Sequence, residues 1–155
     1  MKNKEEILIT NNAEETRKLG EELAKNLKGG ELIALFGDLG GGKTTFVQGL
    51  ALGLGIKRRI ISPTFIIIRT YNIESKITDQ KPKTFYHLDL YRTGKVEDIR
   101  GLGIDEIIGN KNDIVVIEWA KKLEDLLPEK RIDIFFEYLE ENRRKIKIVK
   151  YGIQN

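Results

Sequence analysis

Gly37-Asp38-Leu39-Gly40-Gly41-Gly42-Lys43-Thr44 matches the pattern G-x-x-x-x-G-K-[ST] without a substitution. These residue types in this order suit a phosphate cradle. Glycines let the backbone curl until several N–H groups point inward at phosphate oxygens. A helix beginning at the end of the run adds its partial positive charge. Lys43 is then placed to reach β- and γ-phosphates, and the Thr44 hydroxyl to reach Mg²⁺. Gly37, Asp38, Gly40, Gly41, Gly42, Lys43, Thr44 and the adjoining Thr45 are therefore the candidate nucleotide-binding residues.

Such a loop works only between a strand and a helix. Glu31-Leu32-Ile33-Ala34-Leu35-Phe36 is a short apolar run and reads as a buried strand. Thr45 to Leu52 reads as a helix with Phe46, Leu50 and Leu54 on one side, closed by Gly53 and Gly55. Lys57-Arg58-Arg59 follows as a basic, solvated loop.

A P-loop also needs an acid at the end of a neighbouring strand to complete its Mg²⁺ site. Two residues fit. Glu118 follows the four apolar residues Ile114 to Ile117, the signature of a central parallel strand. Asp89 follows Phe85-Tyr86-His87-Leu88, which alternates and suggests a half-exposed strand, with Phe85 and His87 on one side. Glu118 could meet the metal directly or through water. Asp89 could do the same, orient the attacking water, or simply pair with Arg92; Glu118 could equally be a loop carboxylate beside Lys121 or Lys122. Thr44, Glu118 and Asp89 are thus the candidate metal ligands, and the choice between the two acids stays open. Thr64, in Ser62-Pro63-Thr64, lies where a mobile loop could bring a hydroxyl toward the γ-phosphate, or forms a plain turn. With Asp89 and Glu118 it makes up the candidate catalytic set. Trp119 beside Glu118 reads as packing or as a nucleotide contact. His87, the sole histidine, reads as structural. Arg92 could supply charge to a transition state.

Asn110-Lys111-Asn112-Asp113 matches N-K-x-D, the guanine motif of GTPases, and Asp98-Ile99-Arg100-Gly101 matches D-x-x-G. Here N-K-x-D precedes a buried strand instead of following one, with no β-α unit between the two matches. Both read as chance, and adenine is the expected base.

The rest of the chain frames these residues. Its 155 residues, 40% hydrophobic and 33% charged, predict a single domain with a real core and a well-solvated surface. The absence of cysteine excludes disulfides, thiolate zinc sites and a cysteine nucleophile, and fits a reducing compartment. No apolar run reaches membrane-spanning length, and Met1 to Glu6 lacks an apolar signal core, so the expectation is a cytoplasmic chain with no membrane partner. A net charge of +3 permits an RNA partner without arguing for one. Ile7-Leu8-Ile9 predicts a short edge strand. Asn12 predicts an N-cap, with Glu14 and Glu15 in the first turn and a helix that Gly29-Gly30 ends. Thr16, Leu19, Leu23, Ala24 and Leu27 fall on one face of it. Ile60 to Tyr71 is strand-like around the Ser62-Pro63-Thr64 break, and 72–82 reads as a hairpin or surface loop. Val96 to Ile108 predicts helical pieces broken by Gly101 and Gly103. Residues 121–127 predict a short helix stopped near Pro128. Arg131 to Leu139 and Arg144 to Tyr151 predict a closing antiparallel pair of strands.

Gly37 to Phe46, then Ser62-Pro63-Thr64-Phe65, then Tyr86-His87-Leu88-Asp89-Leu90-Tyr91-Arg92, then Ile117-Glu118-Trp119-Ala120 together resemble the ordered signature of the TsaE family. These are bacterial ATPases of tRNA threonylcarbamoyladenosine biosynthesis. The resemblance spans roughly residues 10–140. It departs at Gly41, where the family usually has Ala at a position that serves through its backbone. It implies an α/β P-loop NTPase-type three-layer fold, with a mixed, mainly parallel central sheet and antiparallel closing strands. It also implies a Mg²⁺-dependent ATPase that is weak until partners bind. The implied partners are TsaB and TsaD, with tRNA engaged through their complex, which the ATPase cycle resets between rounds. The residues matching Lys43, Thr44 and Glu118 are implied to serve ATP and Mg²⁺, and those matching Asp89 and Trp119 to be required. The family's N-terminal segment lies near the nucleotide, which brings in Thr16. The alternative is a small metabolite kinase, which would need an Arg-rich lid that 95–112 does not provide.

Overall fold

The computed structural model describes residues 3–38, 42–60, 68–73, 82–91 and 96–152. These residues form strands β1 (Lys4–Thr10), β2 (Leu32–Phe36), β3 (Ile68–Asn72), β4 (Thr84–Asp89), β5 (Asp113–Glu118), β6 (Arg131–Tyr138) and β7 (Arg144–Tyr151). Between them run helices α1 (Ala13–Ala24), α2 (Lys43–Gly53), α3 (Val96–Arg100) and α4 (Ile104–Ile107), and a 3-10 segment over Ala120–Leu126. The strands make one sheet in the order β1-β7-β6-β2-β5-β4-β3.

The centre of that sheet is parallel. β2 pairs with β5 on one side and β6 on the other, and β5 pairs with β4, all parallel. Antiparallel pairs flank it: β3 on β4 at one edge, and β6–β7–β1 at the other. The apolar composition of Ile114 to Ile117 follows from this position, because β5 is buried along its whole length with layers on both faces. The expected closing pair is present, but β6 does more than close the sheet: it joins the parallel core beside β2.

Helices α1 and α2 cover one face, where Phe46, Val47 and Leu50 meet Ile33, Leu35, Phe85, Ile114, Val116 and Ile134. The shorter helical pieces cover the other, where Ile99, Ile104 and Leu123 meet Leu88, Leu90 and Ile117. α1 and α2 pack backbone to backbone. A Cβ on Gly49 would lie 1.8 Å from the Arg17 carbonyl oxygen, and one on Gly20 would lie 2.4 Å from that of Phe46. Those two glycines set how closely the P-loop helix can be held.

Asn12 caps α1 as expected, its Oδ1 accepting from the Glu15 amide at 2.8 Å. The helix stops at Ala24, earlier than Gly29-Gly30 suggested. The two glycines, with φ of +113° and +91°, instead shape the turn into β2, where Gly30 N donates to Asp113 O. β1 extends from Lys4 and is an edge strand as predicted. Alternation in 84–88 misled on one point: β4 lies inside the sheet, with Phe85, His87 and Leu88 all fully buried. The expected helix after Trp119 is a 3-10 segment with a kink at Leu123. Asn110 to Asp113 sits at the start of β5, the opposite end from Glu118, which removes the guanine motif from the site. No helix among the described residues is long and apolar enough to cross a membrane.

Candidate active site

β2 delivers the chain to Gly37 at the carboxyl end of the parallel core. Its φ is +140°, and a Cβ there would stand 2.6 Å from the Phe136 carbonyl oxygen, so the loop can leave the sheet here only through glycine. The loop ends at Gly42, the N-cap of α2, in left-handed conformation at φ +99°. With glycine at the cap, no side chain competes for the first amides of α2, which stay available to an anion.

Lys43 opens α2 and is 5% exposed. Its ammonium folds back into the loop, donating to the carbonyls of Gly37 at 2.5 Å and Asp38 at 3.0 Å. It also stands 4.2 Å from the centre of the Trp119 ring. Burial pushes the Lys43 ammonium below the ordinary lysine value of 10.5, while the carboxylates of Glu118, Asp38 and Asp89 pull it back up. The charge is held where phosphates would arrive, on acceptors that phosphate oxygens can replace.

Thr44 follows, and its hydroxyl donates to Glu118 Oε1 at 3.3 Å across 74 positions of sequence. Glu118, 3% exposed, ends β5. Its other oxygen meets His87 Nε2 at 2.5 Å. Strand alternation explains the meeting. Glu118 lies on the α2 side of β5 with Ile114 and Val116, and Asp89, His87 and Phe85 lie on the same side of β4. Thr44, Glu118 and His87 therefore form one connected polar chain at the lip of the loop.

Asp89 is the register partner of Glu118 but is used differently. It is half-buried, and its Oδ1 accepts from the Tyr91 amide at 3.0 Å. The Tyr91 ring rests on Trp119 at 4.9 Å, and the Tyr91 carbonyl accepts from Lys122 Nζ. Trp119 itself has φ +60° and ψ +39°, a left-handed conformation that a bulky residue takes up only at a cost of about 1–3 kcal/mol. That turn aims the ring back over Lys43.

Thr16 is brought to the loop by its methyl: a Cβ on Gly42 would lie 3.6 Å from Thr16 Cγ2. Its hydroxyl is 2.7 Å from that of Thr10. Thr45 is half-buried in the first turn of α2. Gly40, Gly41, Thr64 and Arg92 lie outside the described residues. Two neighbours of the site escaped sequence reading. His87 is the partner of Glu118, a role that the shared spacing with Asp89 would have signalled had β4 been placed beside β5. Arg144 of β7 also reaches the back of the loop; a Cβ on Gly42 would lie 3.8 Å from its Nε.

A loop, a lysine, a hydroxyl and a buried acid at the ends of adjacent parallel strands are what a P-loop NTPase-type fold assembles. The family model described as "Threonylcarbamoyl adenosine biosynthesis protein TsaE" matches residues 10–146. This chain belongs to the TsaE family. It is 38% identical over 144 residues to the "tRNA threonylcarbamoyladenosine biosynthesis protein TsaE" of Rickettsia felis, spanning 92% of this chain and 79% of that one. To the protein of the same name from Bacillus subtilis it is 37% identical, over 92% of this chain and 84% of the relative. The crystal structure of Bacillus subtilis YdiB superposes with a TM-score of 0.78 at 33% identity, covering 98% of this chain and 89% of that one. Membership in this family does not favour the metabolite-kinase alternative.

Proposed function

We propose that this chain is a Mg²⁺-dependent ATPase of tRNA threonylcarbamoyladenosine formation, acting in the cytoplasm as one domain and stimulated by a TsaB–TsaD complex. The observation that carries the reading is the contact between the Thr44 hydroxyl and the buried Glu118 carboxylate at the lip of the loop. Both are hard oxygen donors, the chemistry Mg²⁺ selects. Among the described residues no three of His, Cys, Asp and Glu gather as a metal cage. A Mg²⁺ ion in a nucleotide site is typically held by one or two side chains together with phosphate oxygens and water. Thr44 and Glu118 would hold it, and its chemistry when bound is to neutralise charge on the phosphates.

The chain's own groups divide the remaining work. Amides of Gly42 and the first turn of α2 bind the phosphates. Lys43 moves from the carbonyls of Gly37 and Asp38 onto phosphate oxygen. Asp89, at the end of β4, orients the attacking water and accepts its proton as the oxygen–γ-phosphorus bond forms and the bond to the β-phosphate oxygen breaks. Trp119 keeps the lysine in place from the side. Thr64 is proposed to approach the γ-phosphate from its loop, and Thr16 to line the nucleotide side of α1. TsaE does not transfer the carbamoyl group; its hydrolysis resets the partner complex, and tRNA is met through that complex.

The test is the rate of phosphate release from ATP with and without purified TsaB–TsaD. A slow basal rate that rises sharply with the complex is expected. An unchanged rate would overturn partner activation, and phosphate found on a small acceptor would restore the kinase.

A further inference from the structure

Nδ1 of His87 and Nε of Arg69 are buried near the site and have no hydrogen-bond partner among the described residues. They belong to residues that face each other. Arg69 of β3 is the antiparallel register partner of His87 of β4, so both side chains leave the sheet on the same face, the one that carries Glu118. Directly opposed residues in such a pair have Cβ atoms about 4.5–5.5 Å apart, within reach of long side chains.

Their chemistry is complementary. A carboxylate only accepts, so the contact with Glu118 requires His87 Nε2 to carry the proton. In the tautomer with its proton on Nε2, Nδ1 carries a lone pair and can accept a hydrogen bond. Arg69 Nε–H is a donor from which no described residue accepts. A hydrogen bond from Arg69 Nε–H to His87 Nδ1, direct or through one water, would join the two and fix the tautomer that His87 presents to Glu118.

We propose that Arg69 and His87 are positioning residues for Glu118. Arg69 holds the imidazole tautomer, and His87 holds the Glu118 carboxylate so that its other oxygen stays directed at Thr44. The inference rests on the reading of Glu118 as the carboxylate that serves the metal. In that role both residues act on the carboxylate and not on the nucleotide. They act through an outer-shell hydrogen bond of the kind whose loss lowers metal affinity about 10–100-fold.

The test is calorimetric ATP affinity, measured with Mg²⁺ titrated in and again in EDTA, beside thermal melting. For His87→Leu the Mg²⁺ concentration needed for tight ATP binding rises by roughly 10–100-fold, while affinity in EDTA is unchanged. His87→Gln, which keeps an N–H near the Nε2 position, recovers most of the loss. Arg69→Met shifts the Mg²⁺ requirement in the same direction and adds little to His87→Leu, because the two act in one chain. A wild-type Mg²⁺ response in His87→Leu overturns the proposal, as does an equal loss in EDTA, which marks a purely structural role. Fully additive effects remove Arg69 from it. If His87→Leu does not fold, Arg69→Met on the edge strand decides, and a wild-type response there overturns the pair. Glu118→Gln separates the two levels: a normal Mg²⁺ response in that variant overturns the metal reading itself, whereas a lost response beside a normal His87→Leu overturns only the positioning.

Discussion

The ends of β4 and β5 offer a controlled comparison. Each strand is parallel to the other and ends in an acid, and Asp89 and Glu118 are register partners on the same face. Their surroundings nevertheless separate them. Glu118 is buried and tied to Thr44 and His87. Asp89 is half-buried and turned to the backbone of its own strand end at Tyr91. Chain length and sheet order account for the difference. Glu118 has one more methylene and lies on the strand adjoining β2, directly beside the P-loop; Asp89 lies one strand further out. Two acids in equivalent register are thereby given different surroundings, one buried against Thr44 and His87 and the other half-buried beside Tyr91.

Four outcomes bear on that difference. Glu118→Gln should lower Mg²⁺-dependent turnover by about 10²–10³-fold, the scale of losing a charge-stabilising group in a closed site, with ATP affinity in EDTA preserved. Near-normal steady-state turnover would transfer the metal role to Asp89. Lys43→Ala should weaken ATP binding by roughly 10²-fold, the strength of a pair of charge-assisted hydrogen bonds; calorimetry showing unchanged affinity would remove the phosphate cradle from the account. Asp89→Asn should retain nucleotide binding and lose turnover by at least about tenfold, as for a group handling a proton. Loss of binding instead would erase the contrast between the two acids.

The smallest effect concerns protons. Burial holds the Lys43 ammonium below 10.5, whereas bound phosphates would raise it again. ATP binding should therefore take up a fraction of a proton at alkaline pH, and affinity should decline as pH rises through the lowered value, before an ordinary lysine titrates. Calorimetry in buffers of different ionisation heat measures this, and Lys43→Arg, which stays charged, should abolish it. The same displacement disfavours the charged form in the folded chain. Its destabilising effect is present below the lowered value and is relieved as pH rises toward 10.5.

Much of this site can be read from residue order because local rules govern it. Gly37 to Thr44 announces a phosphate loop through its glycines, and the positive φ at Gly37 and Gly42 shows why glycine is needed at those two positions. Asn12 announces a cap, and Ile114 to Ile117 a strand covered on both faces. The end of α1 was less legible: Leu27 keeps the apolar spacing while the helix has already stopped at Ala24. β4 read as half-exposed because alternation reports a strand's residues and not its neighbours. The role of Gly49 was hidden for the same reason, since nothing within α2 shows that the backbone of α1 lies against it.

Sequence alone marked Gly37 to Thr44 as the expected phosphate loop, and named the acids that could serve it. Those are properties of backbone freedom, side-chain charge and hydrophobic period, all carried by adjacent residues. The tertiary structure decided how the acids differ. It placed β5 beside β2 and β4 beside β5, which put Glu118 on Thr44 and made a partner of His87, 31 positions away. Sheet order sets such distances, and it emerges only when the strands pair.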